Sequence, residues 1–192
     1  MPSKNLIILF GGRSVEHEIS VRSATNVLKY IDPTHFNLSV IGISKGGNWF
    51  LLDHPEQGIE TGKEISLFLS ATHPHFEVKA SHESTAIQIV FPVLHGTDGE
   101  DGIIQGLLQS LNVILIGSSV LGSAISMDKI VSKKLLEHAG VPVVPYMSFT
   151  KDEEISFDKI KNKLGLPFIV KAGNLGSSVG TVSYTHLRAH ET

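Results

Sequence analysis

No cysteine occurs among the 192 residues. That excludes disulfides, thiolate nucleophiles, and zinc or iron–sulfur centres held by cysteine, and it suits a reducing, cytoplasmic setting. Charge is sparse: Asp, Glu, Lys and Arg make up 18% of the chain and the formal net charge is −3. Such a balance leaves no basic footprint for a phosphate backbone, so nucleic acid is not an expected partner. Disorder is not expected either, because 41% of the residues are hydrophobic and can build a core. Long apolar runs are missing too. The N-terminal run NLIILF (5–10) is closed by a glycine pair, whereas a membrane helix needs about 20 apolar residues. It reads as a buried strand, not a signal peptide or a span, and no membrane partner is expected. The ten histidines are scattered, without a zinc-protease His-Glu-x-x-His motif.

What is present is alternation. Short apolar runs at 5–10, 87–94 (IQIVFPVL) and 112–117 (NVILIG) are bounded by Gly, Pro or polar residues, and FNLSVIGIS (36–44) resembles them. Such runs fit parallel strands buried on both faces. Between them Val21, Ala24, Val27, Leu28 and Ile31 repeat at helical spacing, as do Ile103, Ile104, Leu107, Leu108 and Leu111. Strand and helix in turn predict an open, parallel-sheet α/β domain over residues 1–116. The stretch 53–85, rich in His, Ser, Thr and Gly, reads as loops with one edge strand. After Gly117 the pattern changes. A small-residue helix (119–126) precedes a second helix carrying Val131, Leu135, Leu136 and Ala139, which Gly140 ends. YMSFT (146–150) is a candidate strand, 156–164 a helix, and PFIVKA (167–172) a strand leading into a glycine loop. A second, partial domain is expected over 117–182.

Three loops carry the candidate chemistry. GGRSVEHEIS (11–20) follows a strand and opens a helix, without dinucleotide-fingerprint spacing. Its acids Glu16 and Glu18 have two readings. They serve a helix start capped by Ser14, where acids complement the dipole, or Glu16 faces the crevice at the strand's carboxyl end, where a carboxylate suits an ammonium group. HGTDGEDG (95–102) also follows a buried strand and packs three glycines around His95, Asp98, Glu100 and Asp101. It is either a plain turn before a helix or half of a site shared with the first loop. Lys129 alone would be a solvated lysine. Lys171, by contrast, ends an apolar strand and runs into GNLGSSVG, offering a cation, backbone N–H groups and hydroxyls to a phosphate. The alternative for that stretch is a simple Ser/Gly hairpin.

Taken jointly and in order, FGGRSVEHEIS, LHGTDGEDGIIQG, GSAISMDK and VKAGNLGSSVG resemble the D-alanine–D-alanine ligases, ATP-grasp enzymes of peptidoglycan synthesis and so of cell-wall biogenesis and cell shape. The resemblance runs from Leu6 to about Gly180. It implies a pre-ATP-grasp α/β domain followed by an incomplete ATP-grasp central domain, with D-alanine and ATP as partners and Mg²⁺ (or Mn²⁺) as cofactor. Position by position, it implies that Glu16 orients the first D-alanine through its ammonium and that His95 lines the same pocket. Lys129 and Lys171 would contact ATP phosphates. Ser177 would hydrogen-bond toward the substrate, Ser178 would belong to the phosphate-covering loop, and Glu100 and Asp101 would brace the site. A homodimer through the N-terminal domain is a further family property. Ala172 departs from the pattern, standing where the family commonly has the proline that pre-sets the backbone. The metal ligands and adenine pocket have no match, and SYTHLRAHET (183–192) reads as a foreign tail, so the 192-residue chain itself is expected to be inactive. Rival readings are a D-alanine–D-lactate or D-alanine–D-serine ligase and a non-catalytic α/β binding module.

Overall fold

The computed structural model describes residues 4–176 and 180–184, and the chain forms two compact units, residues 1–124 and 125–192. The first unit is built on strand β1 (Lys4–Gly11), helix α1 (His17–Leu28) and strand β2 (Phe36–Ile43). Strands β3 (Trp49–Leu52), β4 (Lys63–Phe68), β5 (His75–Val78) and β6 (Ser84–Ala86) follow. Then come β7 (Ile89–Pro92), α2 (Ile103–Ser110), β8 (Ile114–Leu115) and α3 (Val120–Met127). All eight strands join one sheet in the order β6-β5-β4-β3-β2-β1-β7-β8. Strands β2, β1, β7 and β8 are parallel.

The continuous apolar run of β1 follows from its central position. Its side chains alternate between two cores. Ile7 and Leu9 pack with Ile41, Val90, Ile104 and Leu108, while Leu6, Ile8 and Phe10 pack with Ala24, Val40 and Ile89. A strand buried on both faces leaves no position for a polar residue. One core is closed by α2 and the other by α1, each of which presents an apolar stripe.

The other half of the sheet corrects the sequence reading. Strands β3 to β6 are antiparallel, so 53–85, read as loops with one edge strand, holds β4 and β5 and leads into β6. Ile65, Phe76 and Val78 alternate into the core while their neighbours stay half-exposed. With only one or two buried inward positions per strand, the period-two signal was too short to stand out from the surrounding turn residues.

In the second unit, α4 (Lys129–His138) and α5 (Phe157–Leu164) precede a two-stranded antiparallel hairpin of β9 (Phe168–Val170) and β10 (Val182–Tyr184). Gly140, at φ +75°, ends α4 as expected, and Ser156 caps α5 through Lys159 N–H. YMSFT forms no strand, a second correction. Its extended-looking composition finds no partner strand among the described residues. A cluster of Phe157, Phe168 and Tyr184 rings fixes α5 on the hairpin. Ser183 and Tyr184, read in the sequence as the start of a foreign tail, pair with Ile169 and Phe168. Helix α4 buries no residue, and Val131, Leu135 and Leu136 are each more than two-fifths exposed.

Candidate active site

Helix α1 starts immediately after Glu16, which caps it by backbone geometry alone. Ser14 does not cap the helix. Its Oγ accepts the Glu16 N–H at 3.0 Å, tightening the turn before it. Glu16, Ser20 and Ser23 fall at i, i+4 and i+7, hence on one helical face, and that face is turned toward the end of β7. Ser20 is fully buried. Its Oγ accepts from Gly11 N at 2.8 Å and donates to Val93 O at 2.6 Å, fastening α1 to the carboxyl ends of β1 and β7 together. Ser23 Oγ lies 3.0 Å from His95 Nε2. Glu16, also buried, meets the second loop at Gly96. A Cβ there would sit 2.5 Å from Ser14 Oγ and 2.6 Å from Glu16 Oε2, and the φ of +74° favours glycine as well.

The second loop is braced by its own acids. Glu100 Oε2 accepts from Gly96 N at 2.7 Å, Asp101 Oδ2 from Asp98 N at 2.9 Å, and Asp101 Oδ1 from Ile103 N at 3.2 Å. Arg13 then joins the loops, donating from Nε and Nη2 to Asp98 Oδ2 at 3.1 and 2.8 Å. Together the loops border a cleft of about 380 Å³ whose rim includes Gly12, Arg13, His95 and Asp98 and whose wall includes Trp49 and Leu94. A cleft at the carboxyl ends of parallel strands is where open α/β sheets take small ligands. Glu18 points elsewhere. Its carboxylate accepts from Lys45 Nζ at 2.8 Å in the open, and this hydrogen bond and charge hold it below the ordinary carboxylate range.

In the second unit, Asp128 Oδ1 accepts from Ile130 and Val131 N–H at 2.9 and 3.0 Å, a side-chain cap that sets Lys129 at the start of α4. Lys129 is not merely solvated. Its Nζ donates to Gly173 O at 3.4 Å and to Leu175 O, and its backbone N–H donates to Gly173 O at 3.1 Å. The lysine therefore pins the glycine loop from beneath. Lys171, with an exposed side chain, lines a cavity of about 320 Å³ together with Lys129, Lys133, Tyr146, Ile169 and Gly173. Lys133 lies 4.8 Å from the Tyr146 ring centre. The Tyr146 hydroxyl donates to Glu137 at 3.2 Å. Desolvation and then that carboxylate hold its pKa above the ordinary phenol value. An apolar cavity edged by the ammonium groups of Lys129, Lys133 and Lys171 can accept an anionic ligand with a flat hydrophobic body.

The first unit thus brings Glu16, His95, Glu100 and Asp101 into one loop pair, and the second brings Lys129 and Lys171 to one glycine loop. Ser177 and Ser178 lie outside the described residues. Among the described residues no cluster of three or more His, Asp or Glu could hold a metal ion, so the described residues do not by themselves furnish a site for the Mg²⁺ (or Mn²⁺) that the resemblance implies. Arg13, Ser20 and Ser23 were missed in the sequence, and Asp98 was noted there without a role. The serines stood at helical spacing from Glu16, and that signal could have found them.

The first unit thus carries two glycine-rich loops over adjacent parallel strands, and a lysine-flanked glycine hairpin follows it in the chain. The family model described as D-ala D-ala ligase N-terminus matches residues 5–118, and the one described as D-ala D-ala ligase C-terminus matches 135–190. The chain belongs to the D-alanine–D-alanine ligase family. It is 42% identical over 187 residues to D-alanine–D-alanine ligase A of Chromobacterium violaceum, covering 90% of this chain and 51% of that protein. To ligase A of Escherichia coli K12 it is 40% identical, with 93% and 53% covered. The solved ligase of Coxiella burnetii superposes with a TM-score of 0.83 at 32% identity, over 96% of this chain and 57% of that one. A D-Ala:D-Ser ligase from Enterococcus faecalis superposes with a TM-score of 0.82 at 29% identity, over 96% and 56%. The chain spans about half the length of the curated relatives it matches. No helix among the described residues is long and apolar enough to cross a membrane.

Proposed function

We propose that these residues are the amino-acid and phosphate loops of a cytoplasmic, ATP-dependent D-alanine–D-alanine ligase serving peptidoglycan synthesis. The observation that carries the reading is the meeting of Glu16 Oε2 with Gly96 at the ends of β1 and β7. It brings a buried carboxylate against the loop whose His95 borders the cleft. Glu16 takes the ammonium of the first D-alanine. An amine held as an ammonium cannot act as nucleophile, so that molecule can only be the acyl donor. Its carboxylate oxygen attacks the γ-phosphorus of ATP, the bridging P–O bond to ADP breaks, and an acyl phosphate results. The second D-alanine loses an ammonium proton, its nitrogen attacks the acyl carbon, and inorganic phosphate leaves with the C–O electrons. Lys171 and Lys129 supply positive charge against the crowded phosphates, Lys129 also by holding the glycine loop in place, and Ser177 and Ser178 belong to that loop. Mg²⁺ would be held by residues other than those described. A homodimer through the first unit accompanies this reading.

The Enterococcus faecalis D-Ala:D-Ser ligase superposes nearly as well as the Coxiella burnetii enzyme, so D-serine is the second reading for the nucleophile. The test is a chimera joining residues 1–176 to the remaining half of the Escherichia coli ligase, assayed for ADP release with D-alanine, alone or with D-serine. D-alanine-dependent ADP release by the chimera, its loss in Glu16→Gln, and none from the 192-residue chain are expected. A folded chimera indifferent to Glu16→Gln would overturn the role of Glu16, and turnover by the 192-residue chain would overturn the expectation that it is inactive.

A further inference from the structure

The polar stripe of α1 ends at Ser23, a residue that neither the motifs nor the proposed reaction uses. A helical serine or threonine ordinarily turns its hydroxyl back to the carbonyl one turn earlier. Thr25 does so, donating to Val21 O at 3.1 Å. Ser23 does not. Its Oγ reaches across to β7's end, 3.0 Å from His95 Nε2, and this is its only hydrogen-bond neighbour among the described residues. The hydroxyl carries one hydrogen, and among the described residues the imidazole nitrogen is the acceptor within its reach. With Nε2 accepting that hydrogen, the ring proton of a neutral His95 sits on Nδ1. Nδ1 has no protein acceptor among the described residues, while His95 borders the cleft beside Arg13.

We propose that Ser23 is a positioning residue for the amino-acid site. It fixes His95 as the Nδ1–H tautomer and so presents a hydrogen-bond donor to the carboxylate of the bound amino acid, while Glu16 takes the ammonium. The Ser23–His95 contact stands on geometry, the tautomer on giving the hydroxyl hydrogen to Nε2, and the identity of the ligand on the ligase reading. The arrangement divides a zwitterion between two groups on the ends of adjacent strands. Both are set by one helix face, Glu16 directly and His95 through Ser23.

The test is nitrogen NMR of the histidine rings in the ¹⁵N-labelled 192-residue chain at about pH 8.5, where a free imidazole is neutral. His95→Gln identifies the signals. In the unaltered chain His95 is expected to show a protonated Nδ1 and an unprotonated Nε2. Ser23→Ala, and the near-isosteric but weakly donating Ser23→Cys, should shift the proton toward Nε2. A merely structural serine would leave the tautomer unchanged when replaced, and an unchanged tautomer in the Cys variant, which keeps the side-chain volume, overturns the proposal. So does an Nε2–H tautomer in the unaltered chain. Added D-alanine should perturb His95 Nδ1 in the unaltered chain and bind about tenfold more weakly to Ser23→Ala. A Ser23-dependent tautomer with no response to D-alanine upholds the positioning role and overturns the amino-acid reading.

Discussion

Replacing Ser20 by alanine tests how the site is held on the sheet. Ser20 Oγ takes a hydrogen bond from Gly11 N and gives one to Val93 O, and the side chain is buried completely. Alanine removes one oxygen and strands two backbone groups, each costing about 1–3 kcal/mol when left unpaired. The two together bound the loss at about 2–6 kcal/mol, and about 2–4 kcal/mol is expected because a water or a small shift of α1 re-pairs part of what is stranded. The chain has one tryptophan, Trp49 in β3, packed against the core of the first unit, so its fluorescence follows the unfolding of that unit. With a urea slope of about 2 kcal/mol/M, the midpoint should fall by about 1–2 M. Thr25→Ala is the control, since its hydroxyl serves a helical carbonyl that already accepts a backbone bond. A Ser20→Ala midpoint no lower than that of Thr25→Ala would show that α1 is fastened by apolar packing alone.

Gly96→Ala should be tolerated poorly. The new Cβ would need a positive φ and would sit 2.6 Å from Glu16 Oε2, so a stability loss of about 1–3 kcal/mol is expected, with D-alanine binding lost even where the variant folds, as calorimetry would show. For Lys129, methionine keeps the apolar stem but removes the ammonium that holds Gly173 and Leu175 carbonyls; amide exchange across 173–176 should quicken, and an unchanged rate would refute the pinning role. Glu18 should titrate below the ordinary carboxylate range because Lys45 donates to it. A depressed folded-state pKa stabilises at pH above the unfolded value and ceases to do so as pH falls through the folded one. The pair is exposed, so the NMR midpoint should rise toward normal in Lys45→Ala and, in part, in high salt.

The parallel half of the sheet was legible because burial on both faces writes an unbroken apolar run. Leu6 to Phe10 could hardly be anything else. The antiparallel half was not, because β4 and β5 bury one face and place only Ile65, Phe76 and Val78 fully inward, within a stretch otherwise made of turn residues. YMSFT misled for the opposite reason. Its aromatic and hydroxyl residues suit a strand, but a strand exists only against a partner, and propensity cannot supply one. Among the site residues, those on the glycine loops could be marked because glycine and charge are rarely packed together without a purpose. Ser20 and Ser23 drew no notice, although they repeat Glu16's position on α1. A buried serine looks like any other helical serine until the strand ends it reaches are known.

That helix face is what makes the first loop more than a turn. A carboxylate placed by a loop alone would move with the loop, and the breadth of that motion would blur any discrimination between an ammonium and a water. Glu16 instead sits at the first turn of a helix that Ser20 ties to two strand ends. The opposing loop closes on it through a glycine that leaves no slack, and Arg13 and Asp98 link the two outer edges. The ion pair itself is exposed and adds about 1 kcal/mol at most. Its use is geometric: it keeps the loops from parting while the buried serine carries the stability. The same logic recurs at Lys129, whose ammonium spends its hydrogen bonds on the glycine loop. On the proposed reading, a cation so engaged would contribute less free charge to a phosphate than Lys171, and more to the shape of the loop.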